Sequence, residues 1–245
     1  MKLHPLALAI VLLSPATLAA TDNNNDTLQA PALVITSGRK AEPKAQATAA
    51  TSVFTRKDIE RLQVRNVDEL LTRVPGVSVT RNGGPGSLTG VFMRGTSSAQ
   101  SLVLVDGQRI AAASSGTSSL EFLSIDQIER IEVVRGSRSS LYGSDAIGGV
   151  IQIFTRSGSN TPAQPYMRLA AGSHSTYERT LGVSGGDAQT RYNLGGTLNE
   201  SQGIDNTGGS LGQNSDNDAL RNRALSMNVS HQFNDQLEEI GRAHV

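Results

Sequence analysis

Cysteine and tryptophan are absent from this chain, and the first absence alone removes several classes of function. Without cysteine there is no disulfide framework, no thiol nucleophile and no thiolate metal site. The four histidines, His4, His174, His231 and His244, stand apart from one another, so a zinc centre finds no ligand set. Net charge is missing as well: 22 basic residues balance 22 acidic ones, and no long basic run is present to neutralise phosphates. No nucleic-acid partner is expected. Neither G-x-S-x-G, H-E-x-x-H nor a phosphate-cradling loop ending in Gly-Lys-Ser/Thr occurs, and His174 has no partner that would make it a base. No enzyme and no organic cofactor are therefore expected. Long apolar runs are lacking too. The longest, Leu6 to Leu13, is about half of the roughly 18 residues that a spanning helix needs, so any membrane role must use strands closed into a barrel.

What is present starts with an export signal over residues 1–20: basic Lys2, the apolar run, a Ser14-Pro15 break, and small residues at Ala19 and Ala20 where cleavage is expected. Residues 21–51 read as a flexible linker rich in Asn, Asp, Ala, Thr and Pro. One β-prone island interrupts the linker near 31–37. Its residues are Leu33, Val34, Ile35 and Thr36, and Pro31 ahead of them discourages helix. Taken alone, the island is either the first strand of the next domain or a strand offered to the sheet edge of another protein.

Residues 52–158 read as a compact α+β domain with helices on one side of mixed short strands. Thr55 with Asp58 and Asn66 with Glu69 are spaced as helix caps, and Pro75-Gly76 ends the second helix. Short strands are expected at Val77–Arg81, Val91–Arg94, Leu102–Val105, Gln108–Ala111, Ile131–Arg135 and Val150–Thr155. Asp106-Gly107 marks a two-residue hairpin, and a short helix is expected at Asp126–Arg130. Two long, small-residue stretches, Asn82 to Gly90 and Ala111 to Ser119, have the composition of loops that present backbone and hydroxyl groups to a ligand.

After a polar connection the pattern changes to two-residue alternation over residues 159–238. Tyr192, Leu194 and Leu198 alternate with polar neighbours, as do Leu225, Met227, Val229 and Phe233, and weaker runs at Tyr166 to Ala171 and Tyr177 to Val183 bring the strands to about four. This suits either a membrane barrel or a soluble sandwich with one wet face. Four strands cannot close a membrane barrel, which needs about eight. Residues 239–245, EIGRAHV, back-translate to a sequencing-library adapter and are expected to be a non-native tail.

The succession NVDELLTRVPGV, VFMRG, LVLVDGQRI, IERIEVVRG and SSLYGSDAIGGVIQI resembles, in order and spacing, the plug of TonB-dependent outer-membrane receptors. Within that family RNGGPGSLTGVFMRGTSS and RSSLYGSDAIGGVIQI are most similar to cobalamin receptors. The resemblance implies an outer-membrane location, an α+β plug followed by the first antiparallel strands of a transmembrane β-barrel, and active uptake of cobalamin, with a siderophore as the alternative ligand. A secreted interaction module without transport is the reading from another class. It also implies that TonB captures Leu33 to Thr36 as an added strand, and that the barrel wall meets outer-membrane lipid. By position, Asn82, Gly83, Ser87, Leu88 and Thr89 in one loop, and Ala113, Ser114, Ser115 and Ser118 in the other, are the expected ligand contacts. In the stretch Gly203 to Ala219, Asp205, Asp216 and Asp218 offer hard oxygen ligands but not the EF-hand spacing. The spacing alone fits a polar outer loop, and the resemblance implies a calcium site there.

Overall fold

The computed structural model describes residues 34–35, 42–43, 49–112, 115–205, 217–234 and 237–244. The export signal and most of the linker lie outside the described residues. Within the linker, β1 (Val34–Ile35) pairs antiparallel with β2 (Glu42–Pro43).

The compact domain opens with β3 (Ala50–Thr55), which runs directly into α1 (Arg56–Leu62). Thr55 stops the strand and starts the helix by a reciprocal cap. Its hydroxyl accepts from the Asp58 amide, and the Asp58 carboxylate accepts from the Thr55 amide at 3.1 Å. The helix α2 (Val67–Leu71) departs from expectation, because Asn66 makes no side-chain cap. Glu69 does the work instead, accepting the Arg65 amide at 3.0 Å, so the acidic residue of the pattern caps one position further back.

A hairpin of β4 (Val77–Arg81) and β5 (Thr89–Met93) follows, then β6 (Ser101–Val105), β7 (Gln108–Arg109), β8 (Ile128–Arg135), a short α3 (Ser139–Tyr142) and β9 (Gly149–Thr155). The sheet order is β3-β8-β9-β6-β7. Only β6 and β9 run parallel, which places β6 inside the sheet, and all five of its residues are buried. Asp106 and Gly107 both take positive φ, 49° and 83°, as the tight turn from β6 to β7 demands. The helix expected at Asp126–Arg130 is only a 3-10 turn, Ile125–Gln127, and β8 starts at Ile128. The β-branched and apolar run Ile128, Ile131, Val133, Val134 gains more from the sheet than from a helix.

One sheet face packs on the helices through Ile131, Val133, Ile151 and Ile153 against Ile59, Val67, Leu70 and Leu71. The other face is covered too, where Leu102, Leu104 and Val150 meet Ala146 and Tyr142 beside α3, so the helices are not all on one side.

The remaining strands form an antiparallel meander: β10 (Gln164–Gly172), β11 (Thr176–Gly186), β12 (Thr190–Ser201), β13 (Leu220–Asn234) and β14 (Leu237–His244). The fifth strand includes the tail expected to be non-native, and it pairs on the open edge of β13 through backbone bonds that accept almost any extended chain. Burial across this sheet is inverted. Thr180, Asn193, Thr197, Ser226 and Asn228 are buried against the compact domain, whereas Met167, Leu169 and Leu181 are 67%, 65% and 60% exposed. A sandwich would bury the apolar side. A wall whose apolar side meets lipid leaves it bare, so the architecture is a plug followed by antiparallel wall strands in an unclosed sheet.

Residues 52–158 expressed alone should unfold in one cooperative step, because their caps, turns and core agree with one another. In urea, Ile131→Ala should lower the stability of that piece by about 2–5 kcal/mol. A broad, non-cooperative transition of the unsubstituted piece would show that the plug needs its wall.

Candidate functional site

The wall holds the plug by a buried carboxylate. Asp126, in the turn before β8, accepts from Arg168 of β10 at 2.9 Å through one oxygen and from the Thr180 hydroxyl of β11 at 2.7 Å through the other. Arg168 also faces Glu178 at 3.4 Å, and Thr180 lies 3.3 Å from Thr197, whose hydroxyl in turn takes a 3.4 Å contact from Ser124. The same turn is fixed from the plug side, where Arg56 donates to the Ile125 and Ile128 carbonyls, both at 2.9 Å. Burial, and then the nearby Arg156 cation, lower the pKa of Arg56 from its usual value.

A second pin is Tyr166 of β10. Its ring lies over Gly182 and Gly195, where any Cβ would overlap it, its hydroxyl donates to Asn193 at 3.3 Å, and the Arg156 guanidinium stacks 4.3 Å from its centre.

The expected ligand loops lie apart from these pins. In the first, the Asn82 amide donates to Leu88 O and the Ser87 amide to Gly84 O, both at 3.2 Å, which closes a compact turn. Asn82 and Gly83 are exposed, Ser87 is half-buried, and Leu88 is 51% exposed. Thr89 is different: it sits inside β5, buried, with its hydroxyl given to Ser87 O, so it shapes the loop from below. In the second loop Ala113 and Ser114 lie outside the described residues. Ser115 is exposed and shares a 2.7 Å hydroxyl contact with Thr117, while Ser118 is buried.

Of the expected coupling segment only Val34 and Ile35 are described, as β1; Leu33 and Thr36 lie outside. Of the expected calcium ligands, Asp205 and Asp218 stand at the two ends of the β12–β13 connection, joined by a bond from the Asp218 amide to Ile204 O at 3.2 Å. Asp216 lies outside, and among the described residues no three acidic or histidine side chains gather as a metal site.

A cavity of about 500 Å³ opens between α2, the first loop and the wall. Arg65, Asp68, Glu69, Arg81, Glu178 and Glu200 line it, with Arg81 paired to Asp68. These charged residues were not expected as site residues. Nothing in their spacing shows that α2 would lie opposite the ends of β11 and β12, since that neighbourhood exists only after the plug docks on the wall.

Residues 43–150 match the family model for the TonB-dependent Receptor Plug Domain. Among solved structures, the siderophore receptor PirA from Acinetobacter baumannii is 28% identical, with 79% of this chain and 31% of that chain covered and a TM-score of 0.61. The siderophore receptor PirA from Pseudomonas aeruginosa is 26% identical, covering 81% of this chain and 35% of that one at a TM-score of 0.58. The pyoverdine outer membrane receptor FpvA of Pseudomonas aeruginosa shares the fold at a TM-score of 0.71, over 86% of this chain and 29% of that one, with 17% identity. The chain thus spans about a third of the length of these receptors. Plug domain and wall strands together indicate the outer membrane as the location.

Breaking the buried contact should loosen the plug. In a complete receptor, Asp126→Ala should cost about 1–3 kcal/mol of plug stability by leaving Arg168 without its partner. Adding Arg168→Met should recover part of the loss, because no charge is then stranded. Urea-dependent proteolysis of the plug measures both, and equal midpoints for wild type and Asp126→Ala would show that the contact contributes nothing.

Proposed function

We propose that this chain carries the coupling segment, plug and opening wall strands of a receptor that takes a ferric siderophore across the outer membrane at the expense of TonB. The observation that carries the reading is the plug match over residues 43–150, joined to two siderophore receptors above one-quarter identity over about four-fifths of the chain. The ligand rests outside on Asn82, Gly83, Ser87, Leu88 and the loop around Ser115, at the end of the wall where the β12–β13 connection projects. TonB adds β1 to its own sheet edge, and backbone hydrogen bonds supply the grip. Tension then reaches β3 and the plug, whose contacts with the wall at Asp126 and Tyr166 must yield for the ligand to pass.

Cobalamin is the second reading, favoured by the similarity of RNGGPGSLTGVFMRGTSS and RSSLYGSDAIGGVIQI to cobalamin receptors. Calcium belongs to that reading, held by Asp205, Asp216 and Asp218, whose like charges repel unless a cation lies among them. Transport assays in cells with and without TonB, offering a ferric siderophore or cobalamin, separate the two. TonB-dependent iron accumulation that ignores calcium supports the first reading, and calcium-enhanced cobalamin uptake supports the second.

Proline tests the coupling step. Val34→Pro or Ile35→Pro removes a backbone donor and fixes φ, so energised uptake should be lost while binding at the outer face stays nearly unchanged. Uptake that survives both substitutions would place the coupling segment elsewhere.

A further inference from the structure

The outward face of the wall carries a feature that transport does not use. The strand register sets Arg179 of β11, Leu198 of β12 and Arg223 of β13 in one row across that face, and Leu181, Gly196 and Leu225 in the next. Below them comes Val183, Leu194 and Met227. Two arginines therefore stand two strand spacings apart, about 10 Å, directly above an apolar band. Between the leucines the band is notched. Gly196 has no side chain, and a Cβ placed there would meet only Leu225, at 4.0 Å, so an open groove of about 720 Å³ crosses the three strands.

The charge above the groove is positive. Glu200 in the row above binds both Arg179 at 3.0 Å and Arg221 at 2.8 Å, so three arginines less one glutamate leave two positive charges. Among the described residues Arg223 has no ion-pair partner, and its side chain is exposed. The arginines also lie at one definite end of the wall. The connection at that end of β12 and β13 runs from Gln202 to Ala219, whereas the turn at the other end of β12 is only Asp187 to Gln189. Barrels put long connections outside and short turns inside, so the row sits at the level of the outer leaflet headgroups. Tyr177, 45% exposed and paired in register with Glu200, adds the aromatic residue that belongs at such an interface.

We propose that this face is a seat for an outer-leaflet lipid that bears phosphate and at least two acyl chains. Arg179 and Arg223 bind the phosphate by charge-assisted hydrogen bonds, and the chains lie in the groove over Gly196, which is wide enough for two side by side. Phosphate fits better than carboxylate or a neutral headgroup because two guanidinium forks, one of them unpaired, can meet its several oxygens at once. The proposal rests on the reading of this sheet as a membrane wall.

The test uses the complete receptor, purified in neutral detergent, with thermal unfolding and bound-lipid phosphorus as readouts. The probes are a bis-phosphorylated multi-acyl glucosamine lipid, phosphatidylcholine, and inorganic phosphate. The first should raise the melting temperature and stay bound through detergent exchange, and the other two should not. Arg179→Gln with Arg223→Gln should reduce retained lipid phosphorus by about tenfold or more, the loss of at least one charged hydrogen bond. Gly196→Leu keeps both arginines, fills the notch and should reduce retention as well. Retention at the wild-type level in both variants would overturn the proposal, as would an equal shift with phosphatidylcholine or with phosphate alone. A receptor that transports its ligand yet fails these tests sinks the lipid seat and leaves the uptake reading standing. One that never reaches the outer-membrane fraction sinks both.

Discussion

A single carboxylate ties the two parts of this protein together. Asp126 belongs to the plug, but both of its oxygens are spent on the wall, one on Arg168 and one on Thr180. Buried charge is tolerated only when it is paired and hydrogen-bonded, and neither the plug nor the wall could satisfy this group alone. The docking surface is thus specified by polar groups that have no other partners nearby. Thr197, Asn193, Ser226 and Asn228 extend the same logic along the wall.

That arrangement explains why the sheet is built inside out. In a soluble domain the polar side of a strand faces water and the apolar side forms the core. Here the polar side becomes an interior, packed on a plug with its own core, and the apolar side is left to a solvent other than water. A polar interface suits a plug that must move during transport. Apolar contacts as extensive as those between α2 and β8 would hold too firmly, whereas hydrogen bonds can be exchanged for bonds to water or to a passing ligand.

The loops that would touch ligand are less regular in role than in composition. Thr89 and Ser118 share the small polar character of their neighbours, yet both are buried and hold the loops in shape. The exposed members, Asn82, Gly83, Leu88 and Ser115, mix amide, backbone, apolar and hydroxyl groups, which gives a surface able to meet a large ligand at several points without a single dominant charge.

Local order was legible in the sequence because it depends on near neighbours. The cap at Thr55 with Asp58, the turn at Asp106-Gly107, most strands of the plug and the alternation of the wall all follow from spacing and side-chain chemistry within a few residues. Pairing was not legible. The parallel contact of β6 with β9, the covering of both sheet faces, and the choice of strand over helix at Ile128 depend on partners distant in the chain. The same holds for the site. The motifs marked the plug and its loops, but Arg168 and Thr180 became partners of Asp126, and Arg179 a neighbour of Arg223, only when strand register brought them to one face. Spacing along a chain encodes what a residue can do, and register across a sheet decides whom it does it with.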